Sequence, residues 1–72
     1  MNGVGREVGL NIAEARRSAG LTQAQLAVRL ATASQEVSRL ECGRRNCPSL
    51  TTLIRVARAL EIPLIDLLDG VE

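Results

Sequence analysis

Between Thr22 and Gly43 the chain carries two short apolar patterns separated by four small residues. Leu26, Ala27 and Leu30 fall at i, i+1 and i+4, one face of a short helix, and Val37 and Leu40 fall at i and i+3, one face of another. The intervening Ala31–Ser34, with sequence ATAS, leaves room for neither a strand nor a long loop. Two helices must therefore meet at a tight turn. Ala27 is the small side chain that lets their backbones approach at a steep crossing angle. The outer face of the second helix is polar and carries Arg39.

Start and stop signals surround this pair. Thr22 is a good N-cap and Gln25 then stands at N3, which completes a T-x-x-Q capping box, with Leu21 as the hydrophobic staple. Upstream, Val8, Ile12, Ala15 and Ala19 mark an apolar stripe that predicts a helix from about Arg6 to Ala19, ended by Gly20 at the left-handed C′ position. The start of the second helix of the pair has two candidate caps, Thr32 (with Gln35 at N3) and Ser34, because Ala33 has no oxygen to offer. After Gly43 comes a polar loop, and Ser49 caps a fourth helix with apolar residues Leu50, Leu53, Ile54, Ala57 and Leu60. Pro63 opens a last short helix, LIDLL. The expectation is an all-α fold of five helices in one compact bundle, spanning residues 6–70 behind a frayed arm at residues 1–5.

Composition narrows the function. Seventy-two residues make one domain near the lower limit for folding without staples. With no Phe, Tyr or Trp, the core must be packed from Leu, Ile, Val and Ala, and base stacking on aromatic rings, on which single-strand and RNA binding depends, is absent. Net charge is only +1, but it is unevenly spread: residues 1–60 hold nine Arg against four acids, and residues 61–72 hold four acids and no base. Cys42 and Cys47 stand without any His, too few ligands for structural zinc, and read as free thiols or as a redox-sensitive pair. No Cys–His or Ser–His pairing, phosphate loop or metal cluster suggests catalysis, so neither an enzyme nor a cofactor is expected. The first residues lack the apolar segment of a signal peptide and no run reaches transmembrane length, which predicts a cytoplasmic protein with no membrane partner.

The spacing T-Q-x-x-L-A, then V-S-x-x-E-x-G, resembles the signature of Cro-like and Xre-like phage repressors, a family of prokaryotic DNA-binding regulators. Thr22, Gln23, Leu26, Ala27, Val37, Ser38, Glu41 and Gly43 carry the match, and the flanking helices extend it over nearly the whole chain. Three positions depart from the pattern: Ala31 and Glu61 stand where the family has Gly, and Ala33 where Ser opens the recognition helix. The resemblance implies a lambda-repressor-like bundle whose third helix enters the major groove of double-stranded DNA.

That resemblance also implies roles for particular residues. Ser34, Gln35 and Arg39 would face the bases, with Glu36 and Ser38 beside them; Gln can pair bidentately with adenine, Arg with guanine, and Glu can accept from cytosine. Thr22 and Gln23 would clamp one phosphate, and Arg44, Arg45 and Asn46 would meet the backbone on the other side. Glu41 opposes the dipole of its own helix, and the family pairs this Glu with an Arg on helix one, here Arg16. Arg55 and Arg58 read as solvent charges. Leu64, Ile65, Leu67 and Leu68 offer more apolar surface than one short helix buries beneath itself; they close the monomer core, or Leu64, Ile65 and Leu68 form a homodimer interface as in the family. No small-molecule ligand is expected. The rival reading is a protein-interaction module or antitoxin that keeps the fold while its main partner is a protein.

Overall fold

The computed structural model describes residues 4–43 and 48–70. Among them run α1 (Val4–Ser18), α2 (Gln23–Leu30), α3 (Ser34–Cys42), α4 (Leu50–Leu60) and a closing 3-10 helix at Leu64–Leu68. The expected five-helix bundle is thus four α-helices and one tighter turn. After Pro63 only five residues remain before the chain leaves helical geometry, and the N–H of Asp66 bonds the carbonyl of Pro63 at i→i+3 spacing. At three residues per turn the segment divides into three rows. Leu64 and Leu67 turn inward, Ile65 and Leu68 outward, and Asp66 and Asp69 form the third side. The side-chain amide of Asn11 on α1 donates to the carbonyls of Leu67 at 3.0 Å and Asp69 at 2.8 Å, which fixes this segment to the body.

Val8, Ile12, Leu26, Ala27, Leu30, Val37, Leu53, Val56, Ala57, Leu60 and Leu67 form one apolar core. Each fully buried Leu, Ile or Val contributes about 1.5–3 kcal/mol relative to exposure, enough together to hold a domain without aromatics. Two sequence expectations shift here. The stripe of α4 centres on Leu53, Val56, Ala57 and Leu60, so Leu50 stands exposed in the first turn and Ile54 sits at the margin. On α1 the buried face includes Ala13, whereas Ala15 is half-buried and Ala19, beyond the helix end, is exposed.

Helix α1 also starts two residues before Arg6, inside the stretch expected as an arm. Close backbone approach explains this. A Cβ on Gly43 would stand 2.5 Å from the carbonyl oxygen of Gly5, and one on Gly9 would stand 2.6 Å from that of Glu41. The end of α3 therefore lies directly on the backbone of α1, at a separation that a methyl group would forbid.

The caps on α2 and α4 match their sequence signals. Thr22 Oγ1 accepts from the Gln25 N–H at 3.0 Å, and Gln25 Oε1 accepts from the Thr22 N–H at 2.8 Å. Ser49 Oγ accepts from the Thr52 N–H at 3.2 Å. The start of α3 is different: Ala33 occupies the cap position and makes no side-chain cap bond, so neither Thr32 nor Ser34 serves. The reason lies upstream. Ala31 takes φ 57, and the Thr32 N–H reaches back to the Ala27 carbonyl at 2.9 Å to finish α2. With the Thr32 N–H closing α2, α3 begins one residue later, at the cap position of Ala33.

Candidate nucleic-acid interface

Helix α3 has two distinct sides. Val37 is fully buried and Leu40 half-buried, which pins one side to the core. On the other side Ser34, Gln35, Glu36 and Arg39 are exposed, with Ser38 half-buried between them. These five share an outward surface because 3.6 residues per turn place 34 with 38 and 35 with 39. Arg39 Nη1 donates to Glu36 Oε2 at 3.1 Å, an exposed i, i+3 ion pair lying on that surface.

Behind α3, Glu41 collects three donors. Arg16 Nε gives to Oε2 at 2.6 Å, Arg16 Nη2 gives to Oε1 at 3.2 Å, and Gln23 Nε2 gives to Oε1 at 2.9 Å. Arg16 Nη1 donates in addition to the Leu21 carbonyl at 2.8 Å. The Arg16 and Glu41 side chains retain only 11% and 7% of their exposure, so this pair is screened far less than a surface pair. The hydrogen bond to Glu41 holds the Arg16 pKa above its ordinary value, against the opposing effect of burial and with added help from the charge of Glu41. One carboxylate thus joins α1, the first turn of α2 and the last turn of α3.

The geometry changes the reading of two residues. The Gln23 side-chain amide is engaged by Glu41, so a phosphate clamp at this position falls more to the first-turn N–H groups of α2 than to that amide. Thr22 is exposed, with its hydroxyl and its N–H both used in the capping box. Arg44, Arg45 and Asn46 lie outside the described residues, as does Cys47; Cys42 is an exposed free thiol.

Two arginines do work that the sequence did not disclose. Arg29 on α2 donates to the Ala59 carbonyl at 2.8 Å near the end of α4, and Arg55 on α4 donates to the Leu30 carbonyl at the end of α2. Arg55 is therefore not the solvent charge expected. No local pattern signals either contact: any helix end leaves last-turn carbonyls that a cation can meet, and these arginines reach theirs across 30 and 25 residues. Among the described residues no helix is long and apolar enough to cross a membrane, and no group of three His, Cys, Asp or Glu side chains gathers as a metal site.

A short helix locked on its inner side, polar on its outer side, and joined through a left-handed residue to a capped partner defines a helix-turn-helix. Residues 12–67 match the family described by that term, and the chain belongs to it, in the Cro-like and Xre-like branch. The HTH-type transcriptional regulator y4dJ of Sinorhizobium fredii is 43% identical over 60 residues, covering 83% of this chain and 77% of that protein. The restriction-modification controller protein C.AhdI from Aeromonas hydrophila superposes with a TM-score of 0.79 at 32% identity, over 86% of this chain and 88% of its own. The master regulator for biofilm formation SinR, solved in complex with DNA, superposes with a TM-score of 0.78 at 27% identity, over 86% of this chain and 98% of its own.

Proposed function

We propose that this protein is a sequence-specific regulator of transcription that binds double-stranded DNA by laying α3 in the major groove. The observation that carries this reading is the outward row of Ser34, Gln35, Ser38 and Arg39, presented by a helix whose inner side is fixed through Val37 and Glu41. Gln35 offers the bidentate amide that suits adenine, Arg39 the fork that suits guanine, and Ser34 and Ser38 shorter contacts. Glu36 lies in the same row, able to accept from cytosine. Thr22 and Gln23 lie at the N-terminus of α2, where free N–H groups and the helix dipole favour a phosphate, and Arg44, Arg45 and Asn46 follow α3 to meet the strand on the other side. The chemistry asked of the protein is binding, and no catalytic step is assigned to it.

The outward row of the 3-10 helix, Ile65 and Leu68, supports a homodimer, whereas Leu64, expected beside them, is half-buried and packs against the core. Ile65 is 72% exposed and Leu68 37%, two neighbouring apolar side chains on one face that a second copy would cover. Two-fold pairing would set the two α3 helices roughly 34 Å apart and match a palindromic or near-palindromic operator.

Selection from a random duplex pool at two salt concentrations tests the whole reading. An inverted repeat with half-sites about one helical turn apart is the expected result. A single enriched half-site would remove the dimer and keep the DNA contact. No enrichment at either salt would sink the proposal and leave the family's fold serving a protein partner.

A further inference from the structure

The ion pair between Glu36 and Arg39 lies on the surface that the proposed function turns toward DNA, and it sets a constraint on both residues. A bare carboxylate at the first turn of a groove-bound helix faces phosphates and the acceptor-rich edge of guanine, and is repelled by both. Arg39 Nη1 covers it at 3.1 Å, while the side chains stay 69% exposed for Arg39 and 52% for Glu36. Among the described residues this is the one hydrogen bond that the Arg39 side chain makes, so its Nε and Nη2 edge stays open. Guanidinium carries five donors in a fixed plane, and an anchored Nη1 leaves a two-donor edge with a defined direction.

We infer that Glu36 is a positioning residue that makes Arg39 selective, rather than a reader of a base in its own right; this rests on the DNA-binding reading above. Pairing removes one positive charge from the sequence-blind attraction to phosphates. It also holds the free edge of Arg39 in one orientation, which a guanine O6/N7 pair can meet without breaking the bond to Glu36. Arg39 swinging to a phosphate would uncover the carboxylate beside other phosphates, so that escape is disfavoured. Glu36 thus weakens binding to the wrong sequence more than binding to the right one, the means by which specificity is raised without new attractive contacts.

The test compares Glu36→Gln with the parent protein by fluorescence anisotropy, on the duplex enriched from the random pool and on a scrambled duplex of equal composition. Releasing one cation should tighten scrambled-duplex binding by roughly fivefold to tenfold at 0.1 M salt and steepen its salt slope by about one unit. The enriched duplex should gain less, so the ratio between the two falls. In an Arg39→Ala background, adding Glu36→Gln should leave that ratio unchanged. Weaker binding to the enriched duplex with no change on the scrambled one would overturn the inference, because Glu36 would then be reading a base itself. Equal tightening on both would also overturn it, reducing Glu36 to bulk charge. Failure of the parent protein to bind either duplex would instead remove the DNA-binding reading and this inference with it.

Discussion

Arg55 on α4 donates to the carbonyl of Leu30, the last residue of α2, and Arg29 near the end of α2 returns the arrangement by donating to Ala59 near the end of α4. The two helices thus exchange cations at their negative poles, where unpaired carbonyls concentrate the dipole. Ala27 and Ala57, both buried, lie one turn before the two exits, and each supplies the carbonyl that closes its own cap. The arrangement fixes α4 against the helix that precedes the turn, so the turn is held from outside as well as from within.

Replacing Arg55 by Met keeps the apolar stem and removes the donor. A hydrogen bond from a charged group to a carbonyl, partly exposed, is worth about 1 kcal/mol. The urea midpoint of Arg55→Met should fall accordingly with an unchanged slope. An unaltered midpoint would show that the bond adds nothing in solution.

Ala31 and Glu61 hold φ 57 and φ 58, the left-handed region in which a Cβ is strained. Ala31→Gly and Glu61→Gly should each stabilise the fold by about 1 kcal/mol, since relief of that strain outweighs the added freedom of the unfolded chain. Glu61→Gly also removes a carboxylate from the negative end of α4. Calorimetry should record a rise of about 5 °C for each. A fall in either melting temperature would contradict the argument.

Glu41→Ala leaves the Arg16 charge largely buried and strands the Gln23 amide. Breaking one partner of such a pair costs about 3 kcal/mol, a large share of the roughly 4–10 kcal/mol that holds a domain of this size. Chemical denaturation of the variant should show that loss, and Arg16→Met combined with Glu41→Leu should recover most of it. If the double variant is as unstable as the single one, the cost lies elsewhere than in the uncompensated charge.

Arg39→Ala should cost about 1–3 kcal/mol on the preferred duplex and relax preference at one position in each half-site. Arg44→Ala should instead weaken all duplexes alike and flatten the salt slope by about one unit. Binding titrations at several salt concentrations separate the two; identical profiles would merge the roles assigned to them.

Ile65 and Leu67 belong to adjacent rows of the 3-10 helix and should respond in opposite ways. Ile65→Asp should leave the melting temperature of the monomer intact and abolish self-association in sedimentation equilibrium. Leu67→Ala, at a fully buried position, should cost about 2–5 kcal/mol whatever the oligomeric state. Self-association surviving Ile65→Asp would move the dimer surface to another face.

The parts of the fold written in local signals were legible from the sequence. The Thr22–Gln25 box and the Ser49 cap each depend on residues a few positions apart, and the structure places them as the pattern implies, whereas the left-handed exit at Ala31 is suggested by the family's Gly at that position. The polar row of α3 follows from periodicity alone, and the meeting of Arg16 with Glu41 from the family resemblance. What escaped depended on the competition between neighbouring elements or on distant contacts. The start of α3 falls at Ala33, which no cap signal marks, directly after the Thr32 N–H closes α2. The last helix tightened to 3-10 because five residues after Pro63 close few i→i+4 bonds. The Gln23–Glu41 bond and the Arg29 and Arg55 exchange join residues 18 to 30 positions apart, beyond the reach of any local pattern.

Gly9 has a wider meaning for how variants of this protein are interpreted. It sits on α1, remote in sequence from the outward row of α3, yet the hydrogen atom at that position is all that separates the two backbones beneath Glu41. Any side chain there would force the end of α3 to shift away from α1. A genetic screen for lost regulation would therefore return substitutions at Gly9 beside those at Gln35 and Arg39. The first would report the alignment of α3 and the others the base contacts proposed for its outward row.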